Sequence, residues 1–172
     1  MDQGPASECP VVRYRAGDFP EDYELWLRLL HHGVKIGKVP ATVLNWYDSA
    51  QRLTRTRPEY SQDAFYRIKA QYLAKWLKLH NPLWPEVAVW GGGRLTRRRA
   101  EMLVPHGIRI SAWIDIHRRQ QTDRPVVFYQ ELPAPTQIFV LVYLNHGTAR
   151  AEIQQFLQQR GFVEGRHFLL AA

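Results

Sequence analysis

The stretch VAVWGGGR, residues 87–94, joins a short apolar run to three consecutive glycines. The run predicts a buried strand, and the glycines predict a tight turn into a helix over residues 95–106. A second apolar run, residues 108–114, predicts another strand, which ends at Asp115. The order strand, turn, helix, strand is typical of parallel strands joined by right-handed crossovers.

The same alternation continues to the end of the chain. The run Ile138–Leu144 is apolar throughout, as in strands buried on both faces of a parallel sheet. Shorter strands are predicted at residues 125–129 and 168–170, and a helix from His146 to a closing Gly161. The predicted fold class is α/β, with a small open parallel sheet of the Rossmann type over residues 87–172.

Upstream of this sheet the sequence predicts mainly helices. The two prolines of NPLWPE mark residues 81–86 as a linker, so that residues 1–80 form a separate domain. Asp18 and Glu21 have the spacing of a capping box at the start of a helix that Gly33 ends. The predicted buried stripe of that helix consists of Tyr23, Trp26, Leu29 and Leu30.

Two further elements are predicted in this half. Residues 34–44 favour short extended pieces, interrupted at Pro40. Ser61 then begins a second helix. Its apolar face consists of Phe65, Ile68, Tyr72, Leu73, Trp76 and Leu77. The spacing of the six tryptophans favours core packing over a carbohydrate-binding platform.

Composition limits the classes of function. The 172 residues carry a net charge of +7, which favours anionic partners, including peripheral contact with an anionic membrane. One cysteine excludes a disulfide framework and a cysteine zinc site, and no histidine pattern predicts a metal. The sequence has neither a signal peptide pattern nor a membrane-spanning run, so a cytoplasmic protein is expected. No motif predicts specific nucleic-acid binding, and nothing indicates the oligomeric state.

The glycine turn allows three interpretations. Gly91 and Gly93 match the first two glycines of a dinucleotide fingerprint, and Asp115 lies 22 residues after Gly93, where such folds bind a ribose hydroxyl. Thr96 occupies the third glycine position. The turn is therefore a nucleotide or nucleotide-sugar site, an NAD site, or only a tight turn with Asp115 solvated at a strand end.

The segment GDFPEDYELWLRLLHHGVKIGKVPATVLNWYDSAQRLTRTRPEYS, residues 17–61, resembles the C-terminal part of the catalytic domain of inverting family 2 glycosyltransferases. The shared helix motif consists of Glu21, Asp22, Leu25, Arg28 and Leu29. The resemblance implies that Asp22 is the general base that deprotonates the acceptor hydroxyl and that Glu21 helps place the acceptor. It also implies a diphosphate or acceptor site at Arg52, Arg55 and Arg57, although Tyr47 stands where many relatives carry arginine.

The second half is similar to small Rossmann-like modules that follow some bacterial family 2 glycosyltransferase domains. Relatives of the first half carry a nucleotide-binding half and an Asp-x-Asp metal motif, and this sequence has neither. Its opening residues, MDQGPASECPVV, do not resemble the segment expected just before the acid-pair helix. The resemblance therefore predicts a glycosyltransferase-derived protein that is inactive as an isolated chain, with a divalent metal only in full-length relatives. A nucleotide-sugar or an acceptor glycan is the expected partner. The alternatives are a nucleotide-sugar binding module and a non-catalytic interaction domain.

Overall fold

The computed structural model describes residues 12–45, 47, 49–118, 123–144 and 146–172. In these ranges the second half of the chain forms one sheet of five strands. They are β1 (Glu86–Trp90), β2 (Arg109–Asp115), β3 (Val126–Phe128), β4 (Val140–Val142) and β5 (Phe168–Leu170). The order is β3-β2-β1-β4-β5, and every neighbouring pair is parallel. The predicted open parallel α/β sheet is confirmed.

The centre of the sheet is buried on both faces. Residues 87–90 of β1 and all of β4 are at most 2% exposed, as expected for parallel strands covered on both sides. The strand predicted over Ile138–Leu144 is shorter in the structure, because β4 pairs with β1 and with β5 over only three residues. Ile138 and Phe139 are nevertheless buried, so the whole run serves the core.

Two helices follow the central strands. They are α4 (Arg94–Glu101), after β1, and α5 (Gly147–Gln159), after β4. The helix predicted to reach His106 ends at Glu101, and a separate 3-10 turn, Val104–His106, follows. Pro105 lacks the N–H that a continued α-helix needs, and Gly107 closes the turn at φ +85°.

The chain divides between Tyr72 and Leu73 into two compact units, which are described separately below. The helix α3 (Gln62–His80) runs through this point, while the domain boundary expected at residues 81–86 stays a prediction.

Ser61 caps α3 as predicted, since its Oγ accepts the Ala64 N–H at 3.3 Å. The predicted apolar face is confirmed, with four members buried and two half-buried. None of the helices in the described ranges combines the length and hydrophobicity needed to cross a membrane.

The first unit also contains α1 (Glu21–His31) and the short α2 (Leu53–Thr56). Two predictions for α1 were wrong. Pro20, not Asp18, occupies the N-cap, and no side chain caps the helix, because proline has no side-chain oxygen that could accept an N–H. The buried face holds Glu24, Leu25 and Arg28, whereas Trp26 and Leu30 are 50% and 53% exposed.

A buried ion pair explains this reversed helix face. Arg28 donates to the Glu24 carboxylate from Nε, at 3.2 Å, and from Nη2, at 3.1 Å. The Tyr72 hydroxyl also donates to Glu24, and Arg28 Nη2 donates to the Arg13 carbonyl at 2.5 Å. Arg15 lies 3.8 Å from the same carboxylate. Buried charges are tolerated when they are paired and hydrogen-bonded, so this network fixes which face of α1 is turned inward.

Residues 34–45, which follow α1, form neither helix nor strand. The short extended pieces predicted there are therefore not strands. A strand requires backbone hydrogen bonds to a neighbour, and none of the described residues pairs with this segment in a ladder.

The buried pair gives the first unit a specific pH dependence. Burial by itself raises the pKa of Glu24, but hydrogen bonds from Tyr72 and Arg28 and the charges of Arg28 and Arg15 outweigh it and lower the pKa below 4.5. A lowered folded-state pKa stabilises the fold above the unfolded-state pKa, and this contribution is lost as pH falls through the folded value.

Glu24→Gln should lower the free energy of unfolding of the first unit by about 3 kcal/mol at neutral pH, because Arg28 stays buried without its counter-charge. The difference from the wild type should shrink at acid pH. Urea unfolding followed by far-UV circular dichroism measures both effects. Glu59→Gln is the control, since its pair with Arg57 is exposed and should contribute less than about 1 kcal/mol. Equal losses in the two variants would contradict this account.

Candidate functional site

The strand order places a crevice at the carboxyl ends of β1 and β4. From β1 the chain crosses to β2 on one side, and from β4 it crosses to β5 on the other. In open parallel sheets, ligands bind where the order reverses in this way. The turn Gly91–Gly93 and the N-terminus of α4 lie at this edge, since both directly follow β1.

The first glycine of the turn is required by its conformation and its surroundings. Gly91 adopts φ +128°, which side-chain-bearing residues rarely adopt, and its N–H donates to the Ile114 carbonyl at 3.0 Å. A Cβ on Gly91 would lie 2.7 Å from Cγ2 of Thr96. Thr96, at the third fingerprint position, thus packs directly against the turn, and Gly91 supplies the space that a third glycine would otherwise provide.

The second glycine lies against Asp115. A Cβ on Gly92 would be 1.9 Å from Asp115 Oδ2, and Asp115 is 6% exposed. Oδ1 accepts the His117 N–H at 3.0 Å. The interpretation of Asp115 as a solvated residue at a strand end was therefore wrong, because the carboxylate is folded back over the glycine turn.

The third glycine leaves an open approach to the helix. Gly93 is the N-cap of α4, and a Cβ there would meet no atom within 4 Å. The first turn of α4 has no acidic residue, so nothing within it neutralises the positive end of the helix dipole. Further along α4, the Arg97 guanidinium lies 5.5 Å from the Trp113 ring centre. Gly91, Gly93 and Asp115 are thus brought to one turn.

A second candidate site is a cleft of about 570 Å³ in the first unit. It is lined by Tyr14, Arg15, Ala16, Gly17, Phe19, Glu21, Leu53, Arg57, Glu59 and Tyr60. We call it the Glu21 cleft. Glu21 enters as the first residue of α1, Arg57 follows α2, and Tyr60 ends the adjacent 3-10 turn. The cleft combines carboxylates, guanidinium groups and aromatic rings.

One hydrogen bond organises the Glu21 cleft. The Tyr60 hydroxyl donates to Glu21 Oε2, and this bond, the helix backbone and the Arg57 charge lower the pKa of Glu21 despite partial desolvation. The same bond is the main cause that raises the pKa of Tyr60 to about 12. Glu21 is therefore ionised and Tyr60 protonated at neutral pH, which makes the pair a fixed set of hydrogen-bonding groups.

The structure separates the other residues of the predicted glycosyltransferase site from this cleft. Asp22 is exposed, its Oδ1 accepts the Tyr23 N–H at 2.7 Å, and its charge also raises the pKa of Tyr60. Arg55 donates to the Ser49 carbonyl at 3.0 Å, and Arg52 precedes α2. None of the three lines the cleft. Glu21 and Arg57 are brought together, and the catalytic role of Asp22 stays a prediction.

Sequence reasoning missed eight of the ten residues that line the cleft, among them Tyr14, Arg15, Phe19 and Tyr60. The first three precede the acid-pair helix in a segment without periodicity, so no pattern marked them. Tyr60 ends the arginine-rich loop, and only the fold brings it to Glu21. The described residues contain no group of three or more His, Cys, Asp or Glu side chains suited to a metal ion.

The sheet and its crevice make the second unit a Rossmann-like α/β protein, the class in which nucleotide-binding sites lie at the strand-order reversal. Comparison with known proteins goes no further, since no protein-family model, curated protein or solved structure matches the chain.

The close contact between Gly92 and Asp115 can be tested by substitution. Gly92→Ala should lower the free energy of unfolding of the second unit by about 1–3 kcal/mol, because the new methyl group overlaps a buried carboxylate. Gly93→Ala should lower the free energy of unfolding by less, since nothing lies within 4 Å of its Cβ position. Urea unfolding followed by tryptophan fluorescence compares them.

The double variant Gly92→Ala with Asp115→Ala checks the cause of that loss. If the overlap is responsible, Asp115→Ala should lower the free energy of unfolding less in the Gly92→Ala background than in the wild type. Purely additive losses would show that the carboxylate contact is not the reason.

Proposed function

We propose that the protein is derived from a glycosyltransferase and that the Glu21 cleft binds a nucleotide-sugar or the acceptor of its sugar. The observation that supports this best is the shared cleft of Glu21, Arg57 and Tyr60, because the glycosyltransferase resemblance implies binding roles for the first two. The proposal concerns binding, for which the cleft has the necessary groups.

The chemistry of the cleft suits such a ligand. An ionised Glu21 accepts hydrogen bonds from sugar hydroxyls, and the rings of Tyr14 and Phe19 offer apolar faces to a sugar ring. Arg15 and Arg57 supply positive charge for a diphosphate.

The two adjacent carboxylates then have different roles. A lowered pKa and a hydrogen bond from Tyr60 make Glu21 a weak base but a good positioning group. The general base of the proposed ancestral reaction is the next residue, Asp22, whose exposed carboxylate is outside the cleft lining.

Isothermal titration calorimetry with UDP-glucose and with pyrophosphate tests the proposal. Arg57→Ala should weaken the binding of both ligands by about tenfold to a hundredfold, because a charge-assisted hydrogen bond contributes roughly 1.5–3 kcal/mol. Glu21→Gln should weaken the binding of UDP-glucose, because the sugar hydroxyls lose a carboxylate acceptor. It should leave the binding of pyrophosphate unchanged or make it stronger, because a negative charge is removed.

Arg67→Ala is the matched control, since Arg67 is exposed on α3 and does not line the cleft. The proposal fails if neither ligand binds, or if Arg57→Ala and Arg67→Ala have the same effect.

The second unit supports a different candidate, a nucleotide-binding module. The observation in its favour is the open N-cap at Gly93, beside the positive-φ Gly91 and at the strand-order reversal. Backbone N–H groups at a helix N-terminus bind phosphates well. Asp115 limits the fit, because its carboxylate already lies over Gly92 and a phosphate would have to approach from the Gly93 side.

A pair of substitutions at one position separates this candidate from the cleft. Gly93→Asp places a negative charge at the N-cap and should abolish UDP binding to the turn, whereas Gly93→Ala should weaken it much less. Calorimetry with UDP is carried out in an Arg57→Ala background, which weakens diphosphate binding in the Glu21 cleft. Equal affinities in the two Gly93 variants would exclude a phosphate site at this N-cap.

A further inference from the structure

The reversed face of α1 leaves large apolar side chains in solvent. Trp26 and Leu30, one helical turn apart, are 50% and 53% exposed, while the charged Glu24 and Arg28 are buried. A tryptophan and a leucine exposed on one face of a helix, opposite a buried ion pair, are unusual for a surface that only water covers.

The exposed apolar side chains continue in the segment after α1. Between 44% and 78% of each remains exposed, and they are Val34, Ile36, Val39, Val43 and Leu44. Lys35 and Lys38 lie exposed among them. The sequence has no acidic residue between Glu24 and Asp48, so no negative side chain within this apolar and basic stretch offsets its positive charge. We call residues 26–44 the apolar-basic surface.

We propose that the apolar-basic surface is a peripheral docking site for a membrane that contains anionic lipids. Apolar side chains enter the headgroup boundary, tryptophan prefers that boundary, and lysines are attracted to anionic headgroups. The backbone of residues 34–45 forms neither helix nor strand, which fits shallow contact, because its polar groups can still reach water at the interface. This surface shares no residue with the lining of the Glu21 cleft.

Charge favours a lipid surface over a second copy of this chain. Two copies that met through the apolar-basic surface would bring the Lys35 and Lys38 side chains of both chains together, and like charges oppose such contact. An anionic bilayer has the opposite charge over its whole area and accepts apolar side chains in any register.

Cosedimentation of the full chain with sucrose-loaded vesicles tests the proposal. Vesicles of phosphatidylcholine with about one third phosphatidylglycerol should bind the protein at low salt and release most of it at high salt, whereas phosphatidylcholine alone should bind little. The double variant Lys35→Glu with Lys38→Glu should lower partitioning about tenfold or more. Ile36→Asn with Val43→Asn should also lower partitioning onto the vesicles, although these substitutions leave the charge unchanged.

Two control variants change as much charge or apolar area elsewhere. They are Arg67→Glu with Lys78→Glu, both exposed on α3, and Leu79→Asn with Val163→Asn, both exposed. Each should bind vesicles more tightly than its matched test variant. The proposal is overturned if vesicles do not bind, if neutral vesicles bind equally, or if the controls lose as much binding. It is also overturned if light scattering shows a dimer that Ile36→Asn with Val43→Asn dissociates while vesicle binding is unchanged.

Discussion

The parallel pairing of β1 with both β2 and β4 is the constraint on which the second unit depends. A strand buried on both faces and paired on both edges has its register fixed by both neighbours. The three glycines between Trp90 and α4 follow it directly, and the parallel pairing brings Asp115, at the end of the neighbouring strand, against Gly92. The crevice at the strand ends follows from the same pairing.

A buried ion pair organises the first unit together with its buried apolar side chains. The Glu24–Arg28 pair occupies the inner face of α1 and binds the segment before the helix through the Arg13 carbonyl and Arg15. Because Arg15 also lines the Glu21 cleft, the buried pair helps position one wall of that cleft. The same arrangement turns Trp26 outward. Burial of the ion pair therefore affects both the Glu21 cleft and the exposed apolar side chains of α1.

The two halves differ in how much their sequences predict. Long apolar runs identified the strands of the sheet and their order along the chain, because burial on both faces leaves few alternatives for such residues. The face of α1 could not be predicted in the same way, since periodicity counts apolar residues and assigns charged ones to solvent. The burial of Glu24 is favourable because Arg28 pairs with its carboxylate and because Tyr72, 48 residues away, donates to it. The cleft depends on equally distant contacts, such as that between Glu21 and Tyr60.

The tryptophans that the structure describes differ between the two units in their exposure to water. Trp90 and Trp113 in the second unit are 2% and 0% exposed, and Trp113 lies 5.5 Å from the guanidinium groups of both Arg97 and Arg124. Their emission therefore changes strongly when the sheet opens. Trp26 is half in water before any unfolding and changes little. Among the tryptophans that the structure describes, Trp90 and Trp113 therefore report the opening of the sheet, whereas loss of the α1 network is better followed through helix content.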